Sequence, residues 1–567
     1  MQQLTLENFR VFGTKATFDL APVTVLTGKN NSGKSSLIKA LLVLADYLQE
    51  QDDHTVLRLD GPRAGKHKIT SFKSLCNWNS EKDARVCFGY ESEGMLFEYE
   101  FIQHEDPTRA TLSFFRATLL AAKEVLTLKY QGWKRTAAQM PLAELTEDET
   151  SHIESSQSPS YSLSVRQHFI DLITNSAQRR EESNQQQQAI SKSLAEVEQK
   201  LADLQKRKQQ PLAQKMQPLL EKQRQEYLDK IEQMHAASTK SEAEFNLDVF
   251  VNEGHLAGRS IVSLVLHALQ SQGQESQSME TTGVFHTNAP ANHVMWRQAL
   301  LRFGQIIQQR MQFALFHVGA NRTFQAPLIF NQQQGSELAS IVAPVLGTGF
   351  VKGGRAERFL NHWLRFFEIG EAIKIERVEG VAFKVLVKQK NWINLVDLGY
   401  GAGQLITVLL QIASILQQWE LGRSTDRVMV TGPVTVLVEE PESNLHPRLQ
   451  SLLAQLFAKP EPYLAIRHPE PGSRRVRLGQ ALPFQFVLET HSEYLIRKMQ
   501  LLIARGELAT SDAVVHYMDI EGNRRITIGG DGKLSQQFGS GFFDEAGEET
   551  LALLRLQREK QQLQPAG

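Results

Sequence analysis

The spacing of apolar residues changes several times along the chain, and each change predicts an element. Leu4–Phe12 alternates apolar and polar positions as a half-buried strand does, and Thr17–Leu20 can pair with it as a hairpin. Val23–Leu26 is an unbroken apolar run, the pattern of a strand covered on both faces in a parallel sheet. The segment Gly28–Ser35 then leads into an apolar helix over Ser36–Leu48. From about Val56 to Leu128 short strands are expected, at Ala84–Tyr90, Leu96–Ile102 and Ala110–Phe115. From about Thr136 to Pro159 the chain is polar and reads as loop.

The stretch from about Gln185 to Ala237 has no glycine and is rich in Gln, Lys, Glu and Leu. Ile190, Leu194, Val197, Leu201 and Leu204 step by four and three, Pro211 and Pro218 interrupt, and Leu220, Tyr227, Ile231 and Met234 resume the seam. An antiparallel helical hairpin fits, with arms of roughly 20–25 residues reaching roughly 30–38 Å; two ordinary surface helices are the plainer alternative. Thr239–Thr287 mixes a helical piece, Gly258–Gln270, with polar linker. His293–Phe313 reads as a helix running into a strand, Ile373–Val387 alternates, and Gly401–Trp419 is a long apolar helix. Val434–Val438 and Phe484–Leu488 are further buried-strand runs, and the tail from Leu553 onward is expected to fray. The expected organisation is an N-terminal lobe over 1–135, an insertion over 136–315 with the helical hairpin near 185–237, a C-terminal lobe over 316–550, and a polar tail over 551–567.

Composition narrows the class only a little. The chain has 567 residues, 41% hydrophobic and 22% charged, so it can bury a sizeable core. Lys and Arg number 62 against 63 Asp and Glu, which argues against a uniformly basic nucleic-acid binder but not against a local basic strip. The cysteines, Cys76 and Cys87, form neither a CxxC pair nor a disulfide framework and read as buried thiols. The start lacks the apolar segment of a signal peptide, and no run of about 18 apolar residues is evident, so a cytoplasmic chain without a membrane span is expected.

The chemistry begins at Gly28, Lys29, Asn30, Asn31, Ser32, Gly33, Lys34 and Ser35, which match G-x-x-x-x-G-K-[ST] at every fixed position. Glycines let backbone N–H groups curl around phosphate oxygens, and the following helix, with Ser36 in its first turn, offers its positive N-terminus. Lys34 can reach the β- and γ-phosphates of ATP, and the Ser35 hydroxyl can ligate Mg²⁺. A Gly/Ser turn could match by chance, but strand–loop–helix is the context this motif needs. The strand Val434–Val438 ends in Glu439 and Glu440. Carboxylates at the C-terminal edge of a buried strand, expected beside the phosphate-loop strand, can serve a metal and an attacking water, Glu439 on the metal side and Glu440 on the water. Two exposed acids closing a strand would be the plainer reading.

The segment Glu439-Glu440-Pro441-Glu442-Ser443-Asn444-Leu445-His446-Pro447 resembles the EEPExxLHP segment of ABC-type ATPases related to the overcoming-lysogenization-defect (OLD) family. That resemblance implies that the first acid serves the metal, that the second is the catalytic glutamate, and that the following D-loop lies across a dimer interface. The first acid is usually Asp in transporter relatives; here it is Glu439, longer by one methylene. Phe486-Val487-Leu488-Glu489-Thr490-His491-Ser492 resembles the segment whose histidine contacts the γ-phosphate, which makes His491 the switch residue. Asp397-Leu398-Gly399-Tyr400-Gly401-Ala402-Gly403-Gln404 resembles a degenerate signature motif, so Gly401, Gly403 and Gln404 would touch the nucleotide of another subunit; a Gly-rich helix start is the plainer reading. Val318-Gly319-Ala320-Asn321-Arg322 and Gly335-Ser336-Glu337 resemble a further OLD-like segment without an evident role. No Q-loop glutamine is identifiable, and the segment to search is Thr70–Trp78.

The resemblance implies an α/β fold: an ABC/SMC-like P-loop NTPase head, with a mixed central sheet and flanking helices, plus an inserted antiparallel coiled-coil subdomain. It implies ATP and Mg²⁺ as ligands and a homodimer or higher even-numbered oligomer through the heads, with hydrolysis acting as a conformational switch. No Toprim fold fits after His516–Asp519, and no HNH pattern or zinc set is evident. Relatives of this shape occur in Septu-type, retron-associated and PARIS-type anti-phage systems, which implies a sensor or scaffold for a separate effector, a nuclease or toxin encoded nearby. The alternative is a DNA-repair or chromosome-handling ATPase that clamps DNA itself, through clusters such as Arg474-Arg475-Val476-Arg477 and Lys206-Arg207-Lys208. A transporter subunit is disfavoured by the long insertion and the EEPE/LHP pattern.

Overall fold

The structure, a computed structural model, describes residues 1–49, 54–61, 64–80, 84–135, 157–166, 169, 244–250, 293–320, 327–330, 336–347, 349–421, 434–462, 484–519, 522–539 and 541–563. The expected hairpin near 185–237, the piece Gly258–Gln270 and both basic clusters lie outside the described residues. Two compact units emerge: Met1–Phe115 with Arg310–Gly567, and Arg116–Gln309. The division thus falls at Arg116 and Gln309, whereas the apolar pattern suggests 136 and 315.

The first unit is built on a six-stranded sheet in the order Ala314–Val318, Val434–Glu439, Phe484–Glu489, Val23–Gly28, Ala513–Asp519 and Gly522–Ile526. The first five run parallel and the last is antiparallel. Every residue of Val23–Gly28 and Phe484–Glu489 is buried, as strands covered on both faces require. The mixed sheet with flanking helices is the expected α/β fold. One feature differs from expectation. The carboxylate strand Val434–Glu439 is not beside the phosphate-loop strand, because Phe484–Glu489 lies between them.

Helix Lys34–Gln49 follows the phosphate loop, and helix Tyr400–Glu420 runs through the core. The latter is long and apolar enough to cross a membrane by length and composition, contrary to the sequence expectation, yet 83% of its apolar window is buried inside the head. Its C-terminal end is locked by Arg355. That guanidinium is fully buried, pairs with both carboxylate oxygens of Glu461 at 2.6 Å, and lies 4.4 Å from the Trp419 ring centre. The Arg355 N–H also donates to Glu420 at 2.9 Å.

A second sheet in this unit begins with Gln3–Glu7 between Ala16–Asp19 and Val86–Ser92, both antiparallel to it, with Leu4 opposite Phe18. Met95–Gln103 pairs with Val86–Ser92 and buries Met95, Phe97, Tyr99 and Phe101 at every second position. Ala372–Val378 and Ala382–Lys388 form a separate hairpin, which accounts for the alternation over Ile373–Val387. The C-terminal tail is a helix, Glu545–Leu563, where fraying was expected. In the second unit, Gln157–Arg166 pairs antiparallel with Glu124–Arg135 on one side and Glu244–Phe250 on the other. Leu126, Leu128, Leu163 and Val165 are buried there, and Phe169 meets Phe303 edge-on.

Candidate functional site

The phosphate loop starts where strand Val23–Gly28 runs out. Gly28 has φ +129° and Gly33 φ +110°, conformations that side chains other than glycine rarely adopt. A Cβ on Gly28 would stand 1.9 Å from the Met518 carbonyl oxygen, and the Lys29 N–H donates to that same oxygen at 3.1 Å. The neighbouring strand therefore presses directly on the loop. Lys29, Asn30, Asn31 and Ser35 are exposed, and Ser36 is buried. Ser32 closes the turn, its hydroxyl donating to the Lys29 carbonyl at 2.7 Å. The Lys34 ammonium donates to the carbonyls of Gly28 at 3.1 Å and Lys29 at 2.8 Å, so its charge sits at the mouth of the loop. Burial lowers its pKa, opposed by Glu489 and Glu440.

The acid facing the loop is Glu489, not Glu439. The Ser35 hydroxyl lies 3.1 and 3.2 Å from the two Glu489 carboxylate oxygens. Sheet order is the reason: adjacent strands are about 4.8 Å apart, so Glu439, on the second strand out, is about 10 Å from the phosphate-loop strand. Burial, then the neighbouring Glu439, pushes Glu489 up to about 7. Glu439 instead takes Nε2 of His317 at 2.9 Å and the Ala320 N–H at 3.3 Å. The Val318–Ala320 segment thereby acquires a role: it holds Glu439 by Ala320, while the Gly319 N–H binds Glu337 at 2.7 Å. Asn321, Arg322 and Gly335 lie outside the described residues.

Glu440 steps off the sheet at φ +44°, an uncommon conformation for a residue with a Cβ, and its N–H donates to the Glu489 carbonyl at 2.7 Å. Its carboxylate accepts from Ser443 at 2.9 Å. The turn thus ties the Glu440 backbone to the strand that carries Glu489. Buried Glu442 accepts the His491 N–H at 2.7 Å and so joins the segment after the Val434–Glu439 strand to the segment after Phe484–Glu489. Burial raises the Glu442 pKa. His491 is exposed; burial of its ring and then Lys34 lower its pKa, favouring neutral imidazole. Ser492 caps the following helix Glu493–Ala504 through the Leu495 N–H at 3.2 Å.

The residues that resemble a signature motif lie at the start of the core helix Tyr400–Glu420. Gly401, Gly403 and Gln404 are buried in their own chain. A Cβ on Gly401 would stand 2.2 Å from the Asn444 carbonyl oxygen, and Asn444 Nδ2 donates to Gln404 Oε1 at 3.1 Å. Gly401 and Gln404 thus pack against the Asn444–Leu445 segment of their own chain. The exposed positions at this helix start are Gly399 and Tyr400.

Sequence reasoning passed over Glu489 and Arg10. Glu489 sat in the quoted segment, and its signal was the same as that of Glu439: an acid ending a buried run. Arg10 has φ +49°, and its guanidinium reaches the Ser36 hydroxyl at 3.3 Å. The Thr70–Trp78 segment, searched for a glutamine, holds this arginine: the Leu75 carbonyl accepts the Arg10 N–H at 3.0 Å and the Ser74 carbonyl accepts its Nη1 at 3.4 Å. Among the described residues, no group of three or more His, Cys, Asp or Glu could hold a metal ion by itself. Magnesium shared between Ser35, Glu489, phosphate and water does not need such a group.

Several solved structures are similar at low identity. The Smc head domain of Pyrococcus furiosus, bound to the C-terminal domain of ScpA, matches with 10% identity over 98% of this chain and 99% of its own, at a TM-score of 0.31. The SMC head domain of Thermotoga maritima gives 10% over 93% and 98%, at 0.30. The recombination mediator RecF with a bound ATP analogue gives 11% over 92% and 97%, at 0.26. No curated protein matches the chain. The sequence pattern of the AAA ATPase domain, by contrast, matches residues 1–496, which takes in the phosphate loop, both carboxylate strands and the switch segment, and the chain belongs to that AAA ATPase domain family.

Proposed function

We propose that the chain binds ATP with Mg²⁺ and hydrolyses it, and that hydrolysis switches a pair of heads between two arrangements. The observation that carries this reading is that Ser35, beside Lys34 at the start of the helix after the phosphate loop, meets the Glu489 carboxylate, with Glu440 bonded through its N–H to the Glu489 carbonyl. Backbone N–H groups of Gly28–Ser36 and the Lys34 ammonium suit the β- and γ-phosphates. Ser35 and Glu489 offer oxygen ligands side by side, as Mg²⁺ prefers. When bound, the metal would supply charge neutralisation at those phosphates. Glu440 would orient the attacking water and accept its proton, and neutral His491 would reach the γ-phosphate. Glu439, held by His317, would act from outside the metal shell. The exposed helix start at Gly399 and Tyr400 is the part of the signature free to meet the nucleotide of a second copy.

Single-turnover hydrolysis tests the chemistry. Lys34→Ala should abolish nucleotide binding, whereas Glu440→Gln should bind ATP and retain it. A Glu440→Gln protein that turned over at the wild-type rate would remove Glu440 from this role.

The EEPExxLHP and ETHS segments support a narrower reading: a sensor or scaffold ATPase of the OLD-like kind that controls a separate nuclease or toxin in anti-phage defence. Co-purification with the product of an adjacent gene and a phage challenge would test it. A chain that stays alone with and without nucleotide, and confers no protection, would sink it.

A further inference from the structure

Three residues follow the strand Phe484–Glu489, and only the middle one is open to solvent. Thr490 and Ser492 are buried, 0% and 4% exposed, while His491 between them is exposed. The backbone beneath the imidazole is fastened at every step. The Thr490 N–H donates to the Leu26 carbonyl of the phosphate-loop strand at 3.0 Å, the His491 N–H to Glu442 Oε1 at 2.7 Å, and the Ser492 N–H to the Thr490 hydroxyl at 3.0 Å. The Ser492 hydroxyl donates to Gln450 Oε1 at 2.7 Å, and Gln450 Nε2 donates to the Leu445 carbonyl at 2.9 Å.

Glu442 is the unusual member of this set. Glutamate is seldom buried, yet Glu442 is 9% exposed, and burial raises its pKa. Its bond to the His491 N–H crosses from one strand end to the next. Two residues before it, Glu440 leaves the strand Val434–Glu439 with its own N–H on the Glu489 carbonyl at 2.7 Å. The stretch 440–442 therefore carries Glu440 and grips the backbone of His491. Catalytic geometry is sensitive to displacements of about 1 Å, so a grip of this kind bears on rate.

We propose that Glu442 is a positioning residue: by holding the His491 N–H it fixes the imidazole relative to Glu440 for hydrolysis of the γ-phosphate. This rests on the reading that His491 reaches that phosphate. What position 442 has to supply is a hydrogen-bond acceptor of the right length, and a charge is not needed.

Two substitutions of equal length separate these properties. Glu442→Met fills the buried site without an acceptor, and Glu442→Gln keeps an acceptor as its amide carbonyl while dropping the charge. In single-turnover hydrolysis at saturating ATP, Glu442→Met should be about 10–100-fold slower than the wild type, with ATP affinity near the wild-type value. Glu442→Gln should recover most of that loss. The decisive reading is the double variant. Adding Glu442→Met to His491→Ala should change the rate by no more than about twofold, because a residue acting through the imidazole then has nothing left to position. Wild-type turnover in Glu442→Met, a Glu442→Gln protein as slow as Glu442→Met, or a double variant slowed by the product of the two single effects overturns the proposal. Loss of ATP binding in Glu442→Met would make the residue a general structural support and overturn it as well. Failure of the underlying reading looks different: His491→Ala would itself turn over at the wild-type rate, removing the role that Glu442 is proposed to serve.

Discussion

Two neighbouring strands, Val434–Glu439 and Phe484–Glu489, share a pattern. Each is an apolar run in the parallel core, each ends in a glutamate, and Glu439 stands directly opposite Glu489 in register. Yet Glu489 meets the Ser35 hydroxyl, and Glu439 meets His317 and the Ala320 N–H. The difference lies in what flanks each strand. Phe484–Glu489 touches the phosphate-loop strand, while Val434–Glu439 touches Ala314–Val318, which delivers the histidine. A carboxylate's role here follows from its place in the sheet order, and an identical strand-end motif is insufficient to assign it.

Substitutions that break this comparison should differ in size. Glu440, carried just past the first strand, should show the largest effect: Glu440→Gln should slow hydrolysis by about 10²–10⁴-fold in single-turnover assays, with ATP still bound. Next, Glu489→Gln should weaken Mg²⁺-dependent nucleotide binding by about 10–100-fold in a calorimetric titration, clearly more than Glu439→Gln. Equal losses in both would mean that the two acids share the metal. A smaller effect is expected on the other side of the comparison, where His317→Ala removes one hydrogen bond to Glu439 and should cost about 1 kcal/mol of stability in denaturant unfolding, leaving nucleotide affinity near the wild type.

A further effect is expected in pH dependence. Folded Glu489 holds its proton up to about 7, against an ordinary value of 4.5. Between those limits the folded chain binds more protons than the unfolded one, so stability without nucleotide should fall as pH rises from 4.5 to about 7 and level off above. Thermal melts across that window should show the slope, and Glu489→Gln should flatten it. A slope that survives in Glu489→Gln would assign the titration to another group.

Much of the head is legible in the chain. Spacing alone locates the phosphate-loop strand, its helix, both carboxylate strands, the core helix Tyr400–Glu420 and the hairpin at Ala372–Lys388, because each buries a face whose period shows in the apolar residues. The strand Ala513–Asp519 escapes such reading; its run carries His516, which is accommodated because Nε2 is within 2.8 Å of the Asp19 carbonyl. The tail helix Glu545–Leu563 escapes for the opposite reason. Leu551, Leu553, Leu554 and Leu556 are exposed, so no buried face announces it.

By itself, then, the sequence determined the local chemistry: a glycine loop able to wrap phosphates, a lysine and serine at its end, acids closing apolar strands, and a histidine beyond the last. Those are short-range consequences of residue type and spacing. Only the tertiary structure decided which acid meets Ser35, that Gly401 and Gln404 meet Asn444 of their own chain, and that Arg10 reaches Ser36. Such pairings join residues tens to hundreds of positions apart. They depend on strand order and on close backbone approach, neither of which leaves a periodic trace in the chain.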